Sequence, residues 1–419
     1  MKKIAKSWGN VFSSEFEEIE HPLNDRIVLS FGNQNSYGDS SIPLNNLTIK
    51  KSFDNDNDND NDNEYLSPSM TVNDFLLRKD KILYGTPGKS NVTIAGAVAS
   101  DTHGKDNLWG GGFHKNVSSI LLRVNDEILE ASRTKNTDLF ETTIGGYGLT
   151  GQITGIKLSS SADFFDSYTT KYKHGNNIDD LLNSFSFANN NFWIGWVDLL
   201  DKNKKWISES SSPNNISNKN ILKPVNNTSF NNPISLSFIG KNKLKSLSLI
   251  NNLYFYHHKN KHNKNKNLNN ILYPISKFTD TRLISKKNKI IQVQFSLPIE
   301  KSNQIDGLLE KLIFKQNPLL CSVKRISKPE FQNNLSFLQD GWTFAVDFVS
   351  EDFNHLSIRD FYSDLIRNNG KIYLAKDSTL NEDEFHEMYP EYQEWIKIVN
   401  KYDKQNSFQS LMSKRLRLK

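Results

Sequence analysis

The sequence predicts an α+β chain built on antiparallel sheets, and three observations carry that prediction. Strand-like and helix-like segments follow one another in mixed order from residue 160 to 365, which argues against regular strand–helix repeats. Val117–Arg123 and Ile128–Ala131 flank the turn VNDE as the arms of a hairpin. Neither G-x-G-x-x-G between a strand and a helix nor G-x-x-x-x-G-K-[ST] occurs, so a doubly wound nucleotide fold is not indicated. No repeat is visible at solenoid periods.

The elements read in order. Ile27–Phe31 and Leu47–Lys51 are short apolar runs expected as strands. Val72–Leu77 is expected as a helix capped by Thr71 or Asn73. After the hairpin, Thr137 or Asp138 caps a short helix through Thr143, and Gly151–Leu158 returns as a strand. Strands are expected at Asn191–Leu200, Ser235–Ile239 and Ile290–Leu297, then a helix over Gln304–Lys315. Leu319–Ile326 and Trp342–Phe348 read as strands, Ser357–Asn368 as a helix and Gly370–Leu374 as a last strand before C-terminal helices.

With 419 residues the chain has room for two or three domains. An apolar fraction of 36% is low, but 11% aromatic residues restore part of a core, so full disorder is not expected. A net charge of +5 is mild at this length and does not suggest a nucleic-acid binder. Cys321 is the single cysteine, which excludes an intramolecular disulfide and a cysteine-type zinc site and suggests a reducing compartment. The start MKKIAKSWGN lacks an apolar run after its lysines, so no secretory signal is expected, and no apolar run reaches 18 residues. These readings point to a cytoplasmic protein.

Two low-complexity stretches interrupt the chain. DNDNDNDNDN, Asp54–Asn63, resembles the start of a calcium loop, but positions six and twelve hold Asn59 and Tyr65 where Gly and Glu are needed. It is expected as a solvated loop. HHKNKHNKNKNLNN, His257–Asn270, is expected as a mobile cationic loop. Its His257, His258 and His262 lack a rigid frame, so no metal site is assigned.

Three small-residue segments mark the first 155 residues: FGNQNSYGDSS (31–41), GTPGKSNVTIAGAVASDTHGK (85–105) and TTIGGYGLTGQI (142–153). Glycine lets backbone N–H groups converge on an anion, and three such loops suggest one extended ligand held along its length. A dinucleotide bound outside the doubly wound pattern is the natural candidate.

SYGD (36–39), VTIAGAVASDTHGK (92–105), DLFETTIGGYGLTG (138–151) and the tail GKIYLAKDSTLNEDEFHEMYPEYQEW (370–395) together resemble the vanillyl-alcohol oxidase (p-cresol methylhydroxylase-type) superfamily of FAD-linked oxidoreductases. Within it they are most like the decaprenylphosphoryl-β-D-ribose 2′-oxidases. The resemblance implies a two-subdomain FAD-binding domain at 1–160, completed by 369–419, and a substrate domain at 161–368 built on an antiparallel sheet with flanking helices. It places Ser36, Tyr37, Gly38 and Asp39 at the pyrophosphate. Pro87, Gly88, Val92, Thr93, Gly96, Ala99, Ser100, Thr102, His103 and Gly104 would line the flavin, with Tyr147, Gly148 and Ile153 from the next segment and Tyr373 from the tail. Some details depart from the pattern. Gln34 replaces a glycine, and Asn35 stands where flavin-linking members carry His, so FAD is expected to be non-covalent. Ala95 stands at a usual Gly–Gly pair, Tyr147 at a frequent Asn or Met, and Ala345 where some members carry Cys.

Oxidising a secondary alcohol needs a hydride acceptor, which a flavin supplies, and a protein group to take the hydroxyl proton or stabilise charge. By resemblance Lys376 is that group, and His103 contacts substrate or flavin. Gln292 and Gln294 share a strand face and would either bind sugar hydroxyls or face water. Lys324 and Tyr273 are substrate candidates by resemblance, whereas Trp193 and Trp196 read as core. The implied activity is oxidation of a sugar hydroxyl, on a polyprenyl-phosphate-linked pentose, as the first half of an epimerisation completed by a separate NAD(P)H-dependent short-chain reductase in cell-envelope polysaccharide synthesis. The cationic stretch 257–267 suggests peripheral contact with an anionic inner membrane. Two alternatives stand beside it: an oxidase of a soluble aldonolactone or alditol, and a divergent flavin-fold protein without catalysis.

Overall fold

A computed structural model of the chain describes residues 3–19, 26–44, 47–49, 65–79, 81–125, 127–159, 161, 165, 167–186, 191–214, 243–261, 263–273, 289–331 and 335–419. The Asp/Asn stretch, the expected strand Ser235–Ile239 and His262 lie outside these residues.

The chain opens with a small sheet of β1 (Lys3–Lys6), β2 (Ser13–Ile19) and β3 (Leu47–Ile49), β2 pairing antiparallel to β1 and parallel to β3. Helices α1 (Val72–Lys79), α2 (Ile94–Ala99) and α3 (Asn107–Gly110) follow. Thr71 caps α1, its hydroxyl accepting from the Asp74 N–H at 3.0 Å. The hairpin forms as β4 (Val117–Val124) and β5 (Glu127–Ser132), and after α4 (Thr137–Thr143) the chain returns as β6 (Gln152–Leu158) on the other side of β4. Asn136, left-handed at φ 46°, occupies the N-cap position of α4 without a side-chain cap, while Asp138 accepts from the Leu139 N–H.

The rest of the chain is organised by one larger sheet. Its strands are β7 (Tyr168–Gly175), β8 (Phe192–Val197), β9 (Trp206–Pro213), β10 (Lys264–Lys266), β11 (Ile290–Pro298), β12 (Pro318–Ile326), β13 (Gly341–Val349) and β14 (Lys371–Ile372). Among the described residues they stand in the order β10-β7-β9-β8-β12-β13-β11-β14, and every pairing is antiparallel. The α+β expectation therefore holds. The helices of this part are α5 (Ile178–Asn183), α6 (Lys243–Lys259), α7 (Leu268–Leu272), α8 (Ile305–Ile313) and α9 (Ser357–Arg367), followed by α10 (Glu382–Met388), α11 (Tyr392–Tyr402) and α12 (Leu411–Arg415). The main core lies between one face of the sheet and α8 and α9, where Phe295 stacks on Phe344 at 5.4 Å and meets Phe361 edge-on.

Several local expectations change. Ile27–Phe31 contributes only single bridges, Val28 to Phe408 and Leu29 to Thr48. The helix expected over Gln304–Lys315 does form, as α8, and is preceded by a 3-10 turn over Ile299–Gln304. Gly370–Leu374 yields a two-residue strand, because the chain turns at Tyr373. The mobile-loop reading of 257–267 is corrected at both ends. His257, His258 and Lys259 continue α6, and Lys264–Lys266 pair with Thr170–Tyr168 as an edge strand. Packing decides this: His258 is buried, its Nδ1 donating to the Tyr254 carbonyl at 2.9 Å and its Nε2 lying 2.7 Å from Lys261 Nζ, so both ring nitrogens are engaged.

Candidate active site

The sheet face opposite the core is polar, and its period of two explains which residues share it. In β11, Gln292, Gln294 and Ser296 point one way while Val293, Phe295 and Leu297 enter the core. Register sets Gln292 against Asp347, Gln294 against Ala345 and Ser296 against Thr343. On the next strand Ser322 and Lys324 stand opposite Ala345 and Thr343, and Trp196 of β8 stands opposite Ser322. Gln292 donates to Asp347 Oδ1 at 2.5 Å, and Gln294 donates to Thr343 Oγ1 at 3.1 Å. The glutamines therefore face inward, and Gln294 is buried. Trp193 packs in the core against Phe185 and Trp342, as expected, whereas Trp196 packs at a tilt against Tyr254, with ring centres 4.8 Å apart.

His103 is delivered to this face by the turn after α2. Thr93 starts that helix, its hydroxyl accepting from the Gly96 N–H at 3.1 Å. The helix ends at Ser100, and Asp101 follows in the left-handed region at φ 38°. His114 holds Asp101 there, its backbone N–H at 3.0 Å and its ring Nδ1 at 2.9 Å from Oδ1. The His103 ring lies 5.4 Å from Phe337 and 5.0 Å from Tyr373, and its Nε2 is 2.7 Å from Gln294 Nε2. With that amide donating, His103 accepts at Nε2 and carries its proton on Nδ1. Nδ1 is buried and has no hydrogen-bond partner among the described residues. Burial first, then the charges of Lys324 and Lys376, hold His103 well below the usual imidazole range, so it is neutral.

Lys376 arrives from the turn that ends β14. The Tyr373 N–H donates to the Gln294 carbonyl at 2.9 Å, the Tyr373 hydroxyl to the Ser100 carbonyl at 2.8 Å, and the Lys376 N–H to the Tyr373 carbonyl at 2.8 Å. The Lys376 ammonium lies 4.0 Å over the Tyr37 ring, Tyr37 packs 4.4 Å from Trp8, and Lys89 lies 3.6 Å over Trp8. Lys376 retains some accessible surface. Burial pulls its ammonium down to about 7, with Asp347 pulling upward and Lys324 adding to the depression. Burial likewise brings Lys324 to about 8 and raises Asp347 to about 6. Three ionisable groups titrating near neutrality around one neutral histidine form a site able to hold or move a proton.

The three glycine segments and the tail converge on the same place. Tyr37 donates its N–H to the Ala375 carbonyl at 3.1 Å, and Gly38 packs so closely on Asp377 that a Cβ there would lie 1.5 Å from its carbonyl oxygen. Trp8 donates its N–H to the Ser36 carbonyl at 2.7 Å. Tyr147, buried and left-handed at φ 54°, donates its N–H to the Ala99 carbonyl at 2.8 Å, and Gly148 follows at φ 76°. Val92, Ala99 and Ile153 belong to one apolar cluster. Thr102 donates to the Gly85 carbonyl at 3.0 Å. Gly104 is crowded by its own chain, its Cβ position falling 2.1 Å from Asp106 Oδ1. Pro87 is half-buried, and the Cβ position of Gly88 meets nothing within 4 Å. A long ligand threaded past 36–39, 87–104 and 147–153 would thus end against His103, Gln294 and Lys376.

Tyr273 is the candidate that stands apart. It caps the end of α7 and packs with Leu76, Tyr168 and Phe192 in an apolar cluster. Sequence reasoning also left important residues unassigned. Asp347 is the one charged residue in its strand, and its spacing from Thr343 and Ala345 was the available signal. Lys105, two residues after His103, donates to the carbonyls of Ile271 and, at 3.4 Å, Leu272, and burial draws it down to about 7. Arg415 of α12 joins Asp39 (Nε–Oδ2 2.8 Å, Nη2–Oδ1 2.7 Å) to Asp377 (Nη2–Oδ2 2.8 Å), locking the 36–39 loop to the turn that carries Lys376. No short-range pattern announces that contact.

No family model matches the chain. The chain is similar to the decaprenylphosphoryl-β-D-ribose oxidase of Mycolicibacterium smegmatis, 27% identical over 345 aligned positions, covering 79% of this chain and 75% of that protein. It is also similar to an "Uncharacterized protein in mprA 5'region" of Streptomyces coelicolor, 30% identical over 96 residues, 23% of this chain and 26% of that protein. The first match bears out the resemblance read from the glycine segments and the tail.

Proposed function

We propose that this protein is an FAD-dependent oxidoreductase that converts a secondary hydroxyl of a polyprenyl-phosphate-linked ribose to the ketone. The observation that carries the reading is the meeting of His103, Gln294, Lys324, Asp347 and Lys376 where the glycine segments converge. The similarity to an oxidase named for that substrate supports it. FAD fits the residues present. The loops at 36–39, 87–104 and 147–153 would hold it non-covalently, and the unpartnered Nδ1–H of His103 is a buried donor in need of an acceptor. Bound FAD would supply the two-electron acceptor for the carbinol hydride.

The protein's own part is proton handling and placement. Lys376, neutral at or above pH of about 7, would take the hydroxyl proton, and once charged would stabilise negative charge developing beside it. Gln292 and Gln294 would orient sugar hydroxyls, with Asp347 fixing the Gln292 amide. Lys324 would face the phosphate end of the substrate. Residues 1–160 with 369–419 would form the cofactor domain, and 161–368 the substrate domain. The ketone would pass to a separate NAD(P)H-dependent short-chain reductase, giving net epimerisation.

The test is the visible spectrum of the purified protein, followed by anaerobic addition of polyprenyl-phosphate ribose. A yellow protein that bleaches with this substrate, and releases its flavin to the supernatant on acid precipitation, is expected. Bleaching by a soluble aldonolactone or alditol alone would move the substrate assignment. A colourless protein that takes up no added FAD would overturn the enzyme reading.

A further inference from the structure

Helix α6 is apolar on two opposite faces, and the fold buries only one. Leu247, Asn251, Phe255 and His258 face the sheet, where Phe255 meets His174 at 6.0 Å and His258 meets Tyr172 at 5.7 Å. On the other side Leu249, Leu253 and Tyr256 are 60%, 62% and 55% exposed. Their spacing of four and three residues lines them up in one stripe. Single exposed apolar side chains need no explanation, but three in register on one helix face do.

The stripe ends in positive charge. His257, Lys259 and Lys264 are exposed where α6 gives way to β10. Tyr256, His257, Asn260, Lys261, Asn263 and Lys264 line an open recess of about 400 Å³ there. The sequence around it is sharply polarised. From Ser210 to Thr279 it contains ten lysines and no acidic residue. That leaves 42 of the 52 Lys and Arg against all 47 Asp and Glu elsewhere, a formal charge of −5 for the rest of the chain. An anionic surface would attract this stretch of the chain. An apolar stripe with a tyrosine near its edge and lysines beside it is the pattern of a helix lying in a bilayer interface.

We propose that this face, formed by Leu249, Leu253 and Tyr256 of α6 with Lys259 and Lys264 at its edge, docks on an anionic lipid bilayer. The docked edge is close in sequence to the site. From Lys266 the chain runs straight into α7, whose Ile271 and Leu272 carbonyls hold Lys105, two residues from His103. Docking there would set the site against the surface from which a lipid-linked sugar is presented. The surface argument does not depend on the oxidase reading, and its readout is vesicle binding, not turnover.

The experiment is flotation of the full-length protein with vesicles of phosphatidylcholine alone and of equal parts phosphatidylcholine and phosphatidylglycerol. The protein should float with the anionic vesicles only, and added salt should release it. Lys259→Glu/Lys264→Glu should weaken binding by at least about thirty-fold, from about 1 kcal/mol lost per lysine at an anionic surface, with repulsion of the new carboxylates adding to it. Leu249→Ser/Leu253→Ser should weaken it by about a hundredfold through lost apolar burial. Because these side chains are exposed, circular dichroism should match the parent. Absence of flotation with anionic vesicles, equal flotation with both vesicle types, or unchanged binding by the charge-reversed variant would overturn the proposal. So would a lipid-free dimer that the leucine substitutions dissolve, since the stripe would then cover a second copy.

Discussion

Replacing Arg415 with Met should destabilise the protein by about 3 to 5 kcal/mol, the cost of breaking a buried ion pair by removing one partner. The geometry sets this expectation. The guanidinium grips Asp39 with two hydrogen bonds of 2.8 and 2.7 Å, reaches Asp377 at 2.8 Å and donates to the Leu380 carbonyl at 2.6 Å. Both carboxylates are about 1% exposed. Methionine keeps the stem but leaves the two acids buried together without a cation. Against a typical folding free energy of about 5 to 15 kcal/mol, a third or more of the stability would go. Burial already raises the Asp39 pKa, while Arg415 pulls it down and Asp377 pushes it up. Without Arg415 it rises further. A raised carboxyl contributes stability that is present below its unfolded pKa and lost as pH rises through the folded value. The defect of Arg415→Met should therefore shrink in acid and be full at neutral pH. Urea titration followed by tryptophan fluorescence, at acid and neutral pH, measures it. The triple variant Asp39→Asn/Asp377→Asn/Arg415→Met should recover much of the loss, since no charge is then buried. A neutral-pH loss below about 1 kcal/mol, or no recovery in the triple variant, would refute the reasoning.

Lys376→Ala should keep the fold but slow anaerobic flavin bleaching by a factor of about 10² to 10³ in stopped flow; bleaching at the parental rate would remove Lys376 from the chemistry. Lys376→Arg retains the charge without the capacity to lose a proton, so recovered rate there would favour electrostatic stabilisation over a base. In the parent, the bleaching rate should rise with pH through a midpoint of about 7, as the Lys376 ammonium gives up its proton. Asp347→Asn removes the charge that raises this pKa and should shift the midpoint down. Lys324→Met removes the charge that lowers it and should shift it up, and two shifts of the same sign would contradict the arrangement.

The antiparallel α+β order was legible because period-two runs such as IIQVQF and the hairpin around VNDE are local signals. So were the glycine segments and YLAKD, whose chemistry is carried by short strings. The sequence even marked Gln292 and Gln294 as sharing a face. It had no means of saying whether that face looked at water or at His103, because both choices satisfy the same alternation. The stretch 257–267 misled for a related reason: its composition is that of a loop, yet tertiary contacts through Phe255, His258 and the edge pairing with β7 hold it as helix end and strand.

The sequence by itself pointed to an α+β class with antiparallel sheets, to the glycine segments and to His103 and Lys376 as candidates. Only the tertiary structure decided what those residues face. Asp347 acts on Lys376 from a different strand, His114 holds the turn before His103 from thirteen residues beyond Asp101, and Arg415 reaches Asp39 across 376 residues. Propensity and periodicity act over a few residues along the chain. The burial and charge that move a lysine from its usual pKa to about 7 are fixed by whatever folds up beside it.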